Sequence, residues 1–228
     1  IIDWTGQKWS PDCGRPAAHP ASTFTVSASQ CPILDPNVTN PKGVPISAIV
    51  FGRRCKEGYP LVYEAFNWKH AIFWGSTLNV DGRYAFGDDI AQHRDPLAMG
   101  PYCGINITNY ISNWANIRRF LGYSSPKAFF VNWFREENGK LLWPGFSENC
   151  RVFKWVFDRV NGTVDAKRTS IGYLPTLRTL EVSGLSLNAG SLSTLLSIDR
   201  DYIAKDLPKI QEYLLTFGTT IPNGLEET

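Results

Sequence analysis

The stretch Phe129 to Asn149 reads F-F-V-N-W-F-R-E-E-N-G-K-L-L-W-P-G-F-S-E-N, and its pattern decides the fold. Ala128–Phe134 is a short apolar and aromatic run, which predicts a buried strand. A turn follows, then a second aromatic segment ending in W-P-G-F-S-E-N. From Asn149 to Val160, Val152, Phe153, Val156 and Val160 recur on one side, which predicts a helix.

Upstream, Ile46–Phe51, Leu61–Ala65 and His70–Trp74 are apolar runs separated by Gly, Pro or Asn, and they read as three further strands. Residues 1–45 are rich in Pro, Ser, Thr and Asn and read as loops with short strands. Gly75–Gly87 is a polar loop. Ile105–Leu121 is a predicted helix, because Ile107, Tyr110, Ile111, Trp114 and Ile117 recur at three and four. Tyr202–Phe217 repeats that pattern. Pro208 predicts a break there, with Asp206 capping a restarted helix and Gly218 ending it. Strands first and helices after imply an α/β fold, a mixed sheet core with a C-terminal helical lobe. We read 1–228 as a single domain: a loop-rich 1–45, a sheet region 46–104, and a helical lobe 105–228.

Composition narrows the function. A hydrophobic content of 43% supports a packed core. The net charge of +2, without a basic block, gives nucleic acid no electrostatic support. No apolar run reaches the roughly 18 residues of a membrane span. The chain opens I-I-D-W without an initiating Met, which fits a fragment, a processed product or a partial chain. The five cysteines are widely spaced and never form C-x-x-C, so they predict reduced thiols in an intracellular protein and no zinc site. Three N-x-T sequons, at Asn37, Asn106 and Asn161, carry little weight against that pattern.

The aromatic stretch resembles the guanine-binding segment of GTP-dependent phosphoenolpyruvate carboxykinase. Further blocks extend the resemblance from about Ile1 to Ile210: Phe51-Gly-Arg-Arg, Pro60-Leu-Val-Tyr-Glu-Ala, Trp68-Lys-His, Asp95-Pro-Leu-Ala-Met and Leu142-Trp-Pro-Gly-Phe. The match corresponds to roughly the C-terminal third of that enzyme. The resemblance implies conversion of oxaloacetate and GTP to phosphoenolpyruvate, carbon dioxide and GDP, with Mn2+ or Mg2+, in cytoplasm or mitochondrion. It implies that Phe134 and Phe146 are two of three pocket aromatics, with Leu141 at the third position, and that Asn149 reads the base edge. The same aromatics also fit plain core packing. Arg53 and Arg54 match the family's Arg pair, whose second member contacts phosphate. A guanidinium fork suits that contact, although residue type alone also fits a surface pair.

Other positions depart from the family. Its phosphate loop and metal-binding Lys, His and Asp would lie upstream of Ile1. Its H-P-N-S-R-F is His19-Pro-Ala-Ser-Thr-Phe here, so Ala21 and Thr23 replace an amide and a cation. Its Ala-rich lid becomes Leu78–Asp89, and its A-M-R-P becomes Ala98-Met-Gly-Pro, with Gly100 for Arg. Two readings follow. One is a degenerate, non-catalytic structural or interaction module with weak guanine-nucleotide binding. The other is the C-terminal part of a working carboxykinase. In either case a protein partner, or the rest of the family's fold, is expected over the face that the enzyme's N-terminal region would cover.

Overall fold

In the computed structural model, which describes residues 1–19, 27–80, 93–218 and 225, the chain divides into two compact units. The first is built on Ile1–Pro45. Its described residues carry no strand or α-helix. They hold short 3-10 turns at Pro11–Cys13, Ala28–Gln30 and Pro36–Thr39, and one bridge between Ile2 and Lys8. The buried Asp3 carboxylate accepts the Thr5 and Gln7 amides and pairs with Arg15 at 2.9 Å.

The second unit holds the sheet. Its elements in chain order are β1 (Ala48–Arg53), β2 (Val62–Glu64), α1 (Trp68–Ser76), β3 (Asn79–Val80), β4 (His93–Arg94), α2 (Ile107–Leu121), β5 (Lys127–Asn132), β6 (Glu136–Glu137), β7 (Lys140–Leu141), α3 (Asn149–Asn161), β8 (Lys167–Arg168), β9 (Tyr173–Leu174), α4 (Ala189–Leu195) and α5 (Arg200–Leu215). Five strands form a mixed sheet in the order β1-β5-β2-β9-β8. The β1–β5 pair is parallel, and the other pairs are antiparallel. The predicted α/β class with C-terminal helices is therefore observed.

Strand alternation creates two cores. Ala128 and Phe130 of β5, with Phe51 and Tyr63, pack against α1, α2 and α5. Phe129 and Val131 face the opposite side, where Val152, Trp155 and Val156 of α3 and Leu195 of α4 close over them. Buried Glu64 ties these layers together, pairing with Lys127 at 3.1 Å and with Arg159 of α3 at 2.6 Å. Gly172 lies against this strand at φ +142°. A Cβ there would stand 2.4 Å from the Glu64 carbonyl oxygen, so only glycine permits the approach.

Two local expectations are corrected. His70–Trp74 is part of helix α1 and not a strand. Asn67 caps that helix by accepting the His70 amide at 3.0 Å. Trp68, Ala71, Ile72, Trp74 and Gly75 are all buried, so the helix lacks a polar face and its apolar run mimics a strand. Helix α5 also runs unbroken through Pro208 from its true cap, Asp199. Pro208 and Ala204 are both exposed, so the carbonyl freed by the proline meets water. Ile203, Asp206 and Ile210 are buried and hold the helix on both sides of it. Asp206 is not a cap; it is a buried ion-pair partner.

Among the described residues no helix is long and apolar enough to cross a membrane. The five thiols form no disulfide.

Candidate functional site

Strand β5 delivers the aromatic segment. Phe134 lies just beyond its end and is half-buried. The β6–β7 hairpin follows, with Asn138 at φ 52° and Gly139 at φ 74°, the paired left-handed conformation that a two-residue hairpin loop requires. Leu141 ends the hairpin and is 56% exposed. After Gly145, a 3-10 turn at Phe146–Glu148 leads into α3, whose first residue is Asn149.

Exposure separates the packing residues from the others. Leu142 and Trp143 are buried in the α3 core, whereas Phe146 is 96% exposed. Neither Phe146 nor Leu141 belongs to the core. Phe146 presents its ring to water from a structured turn. Asn149 is oriented by Trp143, whose indole N–H donates to Asn149 Oδ1 at 2.8 Å. The indole can only donate, so the amide must turn its oxygen inward, leaving the Nδ2 hydrogens to donate to an acceptor. This Trp143 support was not foreseen from the sequence, although the residue sits within the quoted stretch.

Arg53 and Arg54 do different things. Successive residues of a strand face opposite ways. Arg53 is 1% exposed. Its guanidinium lies 3.7 Å from the centre of the Tyr59 ring and 5.5 Å from that of Trp74, and Nη2 reaches the Tyr63 hydroxyl at 3.5 Å. Its Nε and Nη1 have no hydrogen-bond partner among the described residues, so ring faces carry much of the charge. Burial pushes the Tyr63 hydroxyl up to about 12, which keeps it protonated beside this cation. Arg53 is therefore a core cation rather than part of a surface pair. Arg54 is exposed, and its guanidinium lies 4.5 Å over the Phe134 ring. The structure thus brings Arg54 to Phe134 and Asn149 to Trp143, and keeps Arg53 away from solvent.

The Asp95–Gly100 segment forms a strained turn. Leu97 and Ala98 both take φ 56°, which costs of order 1–3 kcal/mol each for such residues. The Asp95 carboxylate accepts the Gly100 amide at 2.8 Å, and a Cβ on Gly100 would start 2.9 Å from that oxygen. Ala21, Thr23 and the Asp81–Asp89 part of the altered lid lie outside the described residues. Among the described residues no three His, Cys, Asp or Glu side chains converge to hold a metal ion.

Comparison with known proteins now decides the family. The family model for the phosphoenolpyruvate carboxykinase C-terminal P-loop domain matches residues 1–228. The chain belongs to the GTP-dependent phosphoenolpyruvate carboxykinase family. It is 42% identical over 230 residues to the phosphoenolpyruvate carboxykinase (GTP) of Chlamydia abortus, and equally so to that of Chlamydia caviae. It is 41% identical over 221 residues to the cytosolic phosphoenolpyruvate carboxykinase (GTP) of Gallus gallus. All of this chain aligns with the chlamydial relatives but spans only 38% of their length; 93% of it aligns with the avian carboxykinase, spanning 34% of that protein.

Proposed function

We propose that this chain is a carboxykinase-derived module that keeps a grip for a guanine base and does not by itself transfer a phosphoryl group. One contrast carries the reading. The base segment is built, with Asn149 oriented by Trp143 and Phe146 free to stack, while Ala21, Thr23 and Gly100 stand where the family places an amide and two cations. A transferring phosphoryl group spreads negative charge over three oxygens, and an arginine aimed at that charge is worth about 10³–10⁵ in rate. Thr23 and Gly100 supply no charge. Arg53, locked in its aromatic box, cannot replace them without leaving the core.

A second reading, the C-terminal part of a working carboxykinase, is favoured by one observation: the 42% identity runs over the entire chain. Calorimetry with GDP tests the base grip. Stacking on one aromatic contributes about 1–3 kcal/mol. Two rings and one amide, without a complete phosphate cradle, therefore predict a dissociation constant weaker than about 10 μM, abolished by Phe146→Ala. A micromolar or tighter constant contradicts so weak a grip and gives Phe134, Phe146 and Asn149 a larger share of the binding. No detectable GDP binding at millimolar concentration refutes the base grip.

Strand β1 forms one edge of the sheet, and Ile46 and Val50 are exposed on and beside it. We read this edge as the seam for a protein partner or for further strands of the family's fold. Light scattering on the chain is expected to show association. A cooperatively folding monomer contradicts the partner.

A further inference from the structure

Away from the guanine segment, two cavities share a wall. The first, about 370 Å³, lies between α1 and α5 and is mostly apolar, lined by Phe73, Trp74, Ile203 and Leu207. Its one titratable ring is His70, whose Nδ1 faces the Phe66 amide at 3.2 Å and whose Nε2 faces the Trp74 indole N–H at 2.9 Å. Protonation would set N–H against N–H on both sides, and burial pulls His70 down to about 4, so His70 brings no charge to the chamber at neutral pH.

The second cavity, about 300 Å³, is cationic. Lys167 and Arg168 reach it from β8, and Arg200 reaches it from the start of α5. Among the described residues no carboxylate lines it. The nearby Asp199 carboxylate is engaged, accepting the Tyr202 amide at 3.0 Å. Neither Lys167 nor Arg200 has an ion-pair partner among the described residues. Basic residues on an edge strand serve in general to block strand pairing, which accounts for Lys167 and Arg168. It does not account for Arg200, which comes from a helix and faces the same cavity. Ser170, Ile198 and Arg200 line both chambers, so the cationic and apolar spaces meet.

We propose that the joined chambers bind a small amphipathic anion, an apolar body bearing one phosphate or carboxylate group. Lys167 and Arg200 hold the anionic group, with the Ser170 hydroxyl beside it, and the apolar body lodges against Phe73, Trp74, Ile203 and Leu207. Each chamber is within or close to the usual size of a small-molecule pocket, and the pairing of an apolar cavity with a few convergent polar groups is the usual form of such a site. The inference does not rest on the carboxykinase reading, since none of the lining residues belongs to the guanine segment.

The test is calorimetry on the full chain with four probes, each below its micellar concentration: octyl phosphate, octanoate, octanol and inorganic phosphate. Octyl phosphate or octanoate is expected to bind at least about tenfold more tightly than octanol or inorganic phosphate. The preferred one of the two identifies the anionic group. Lys167→Gln combined with Arg200→Gln should remove that preference. Ala204→Phe, which fills the apolar chamber from an exposed helix position, should weaken the alkyl anion by a similar factor. All three sites are exposed, and unchanged cooperative melting confirms that the variants fold. The proposal is overturned if octanol binds as tightly as both alkyl anions, if neither alkyl anion binds, or if the folded double variant binds the alkyl anion as wild type does.

Discussion

Asp206→Ala is expected to destabilise the chain by about 3–5 kcal/mol, the range for breaking a buried ion pair by removing one partner. Arg94 Nη2 meets Asp206 Oδ1 at 2.5 Å, with side-chain exposures of 10% and 4%. The Tyr59 hydroxyl donates to Asp206 Oδ2 at 2.9 Å, and Arg94 Nη1 also donates to the Thr77 carbonyl at 3.0 Å. Burial holds the Tyr59 hydroxyl far above its usual range, so it remains a donor. Among the described residues, alanine would leave a buried guanidinium with a single carbonyl acceptor and a buried phenol with none. For a chain of this size, melting should fall by roughly 6–20 °C. Asp206→Asn keeps the shape and one acceptor and should cost less. A loss below about 1 kcal/mol for Asp206→Ala would mean that Arg94 relaxes into water, as surface pairs do, and that β4 is not anchored to α5 through this pair.

Much of this fold is written in hydrophobic period. Strand β5 and helix α3 each have one clear pattern, so both were legible to within a residue or two, as was α2. The errors came where burial hides the pattern. Helix α1 is enclosed on several sides, and a short apolar run with no polar face does not reveal its period. At Pro208 the local rule was outweighed by packing, because the proline points to solvent while Ile203 and Ile210 are held in the core. Asp206 was misjudged for a related reason: its partners Arg94 and Tyr59 are distant in sequence, and no local pattern points to them.

The candidate site shows the same division. Phe134, Leu141, Phe146 and Asn149 lie within 16 consecutive positions and could be named from the segment alone. The separation of Arg53 from Arg54 could not, because it depends on Trp74 arriving from α1 and on Tyr59 and Tyr63 closing the box. A two-residue alternation along β1 predicts that neighbours diverge, but not which of the two is enclosed.

The second large effect concerns catalysis, and activity of the isolated chain does not test it. The chain spans 38% of the length of its chlamydial relatives, so the test is made inside a full-length carboxykinase. The decisive measurement is turnover of the Gallus gallus cytosolic carboxykinase with its matching C-terminal segment replaced by this chain, assayed with oxaloacetate, GTP and Mn2+. The non-catalytic reading predicts a folded chimera whose rate is lower than the parent's by at least about 10³-fold. Restoring Ala21→Asn, Thr23→Arg and Gly100→Arg together should recover part of that loss, which distinguishes missing charge from poor assembly. A chimera that turns over at the parent's rate with Ala21, Thr23 and Gly100 in place would contradict the account and show this chain to be the C-terminal part of a working enzyme.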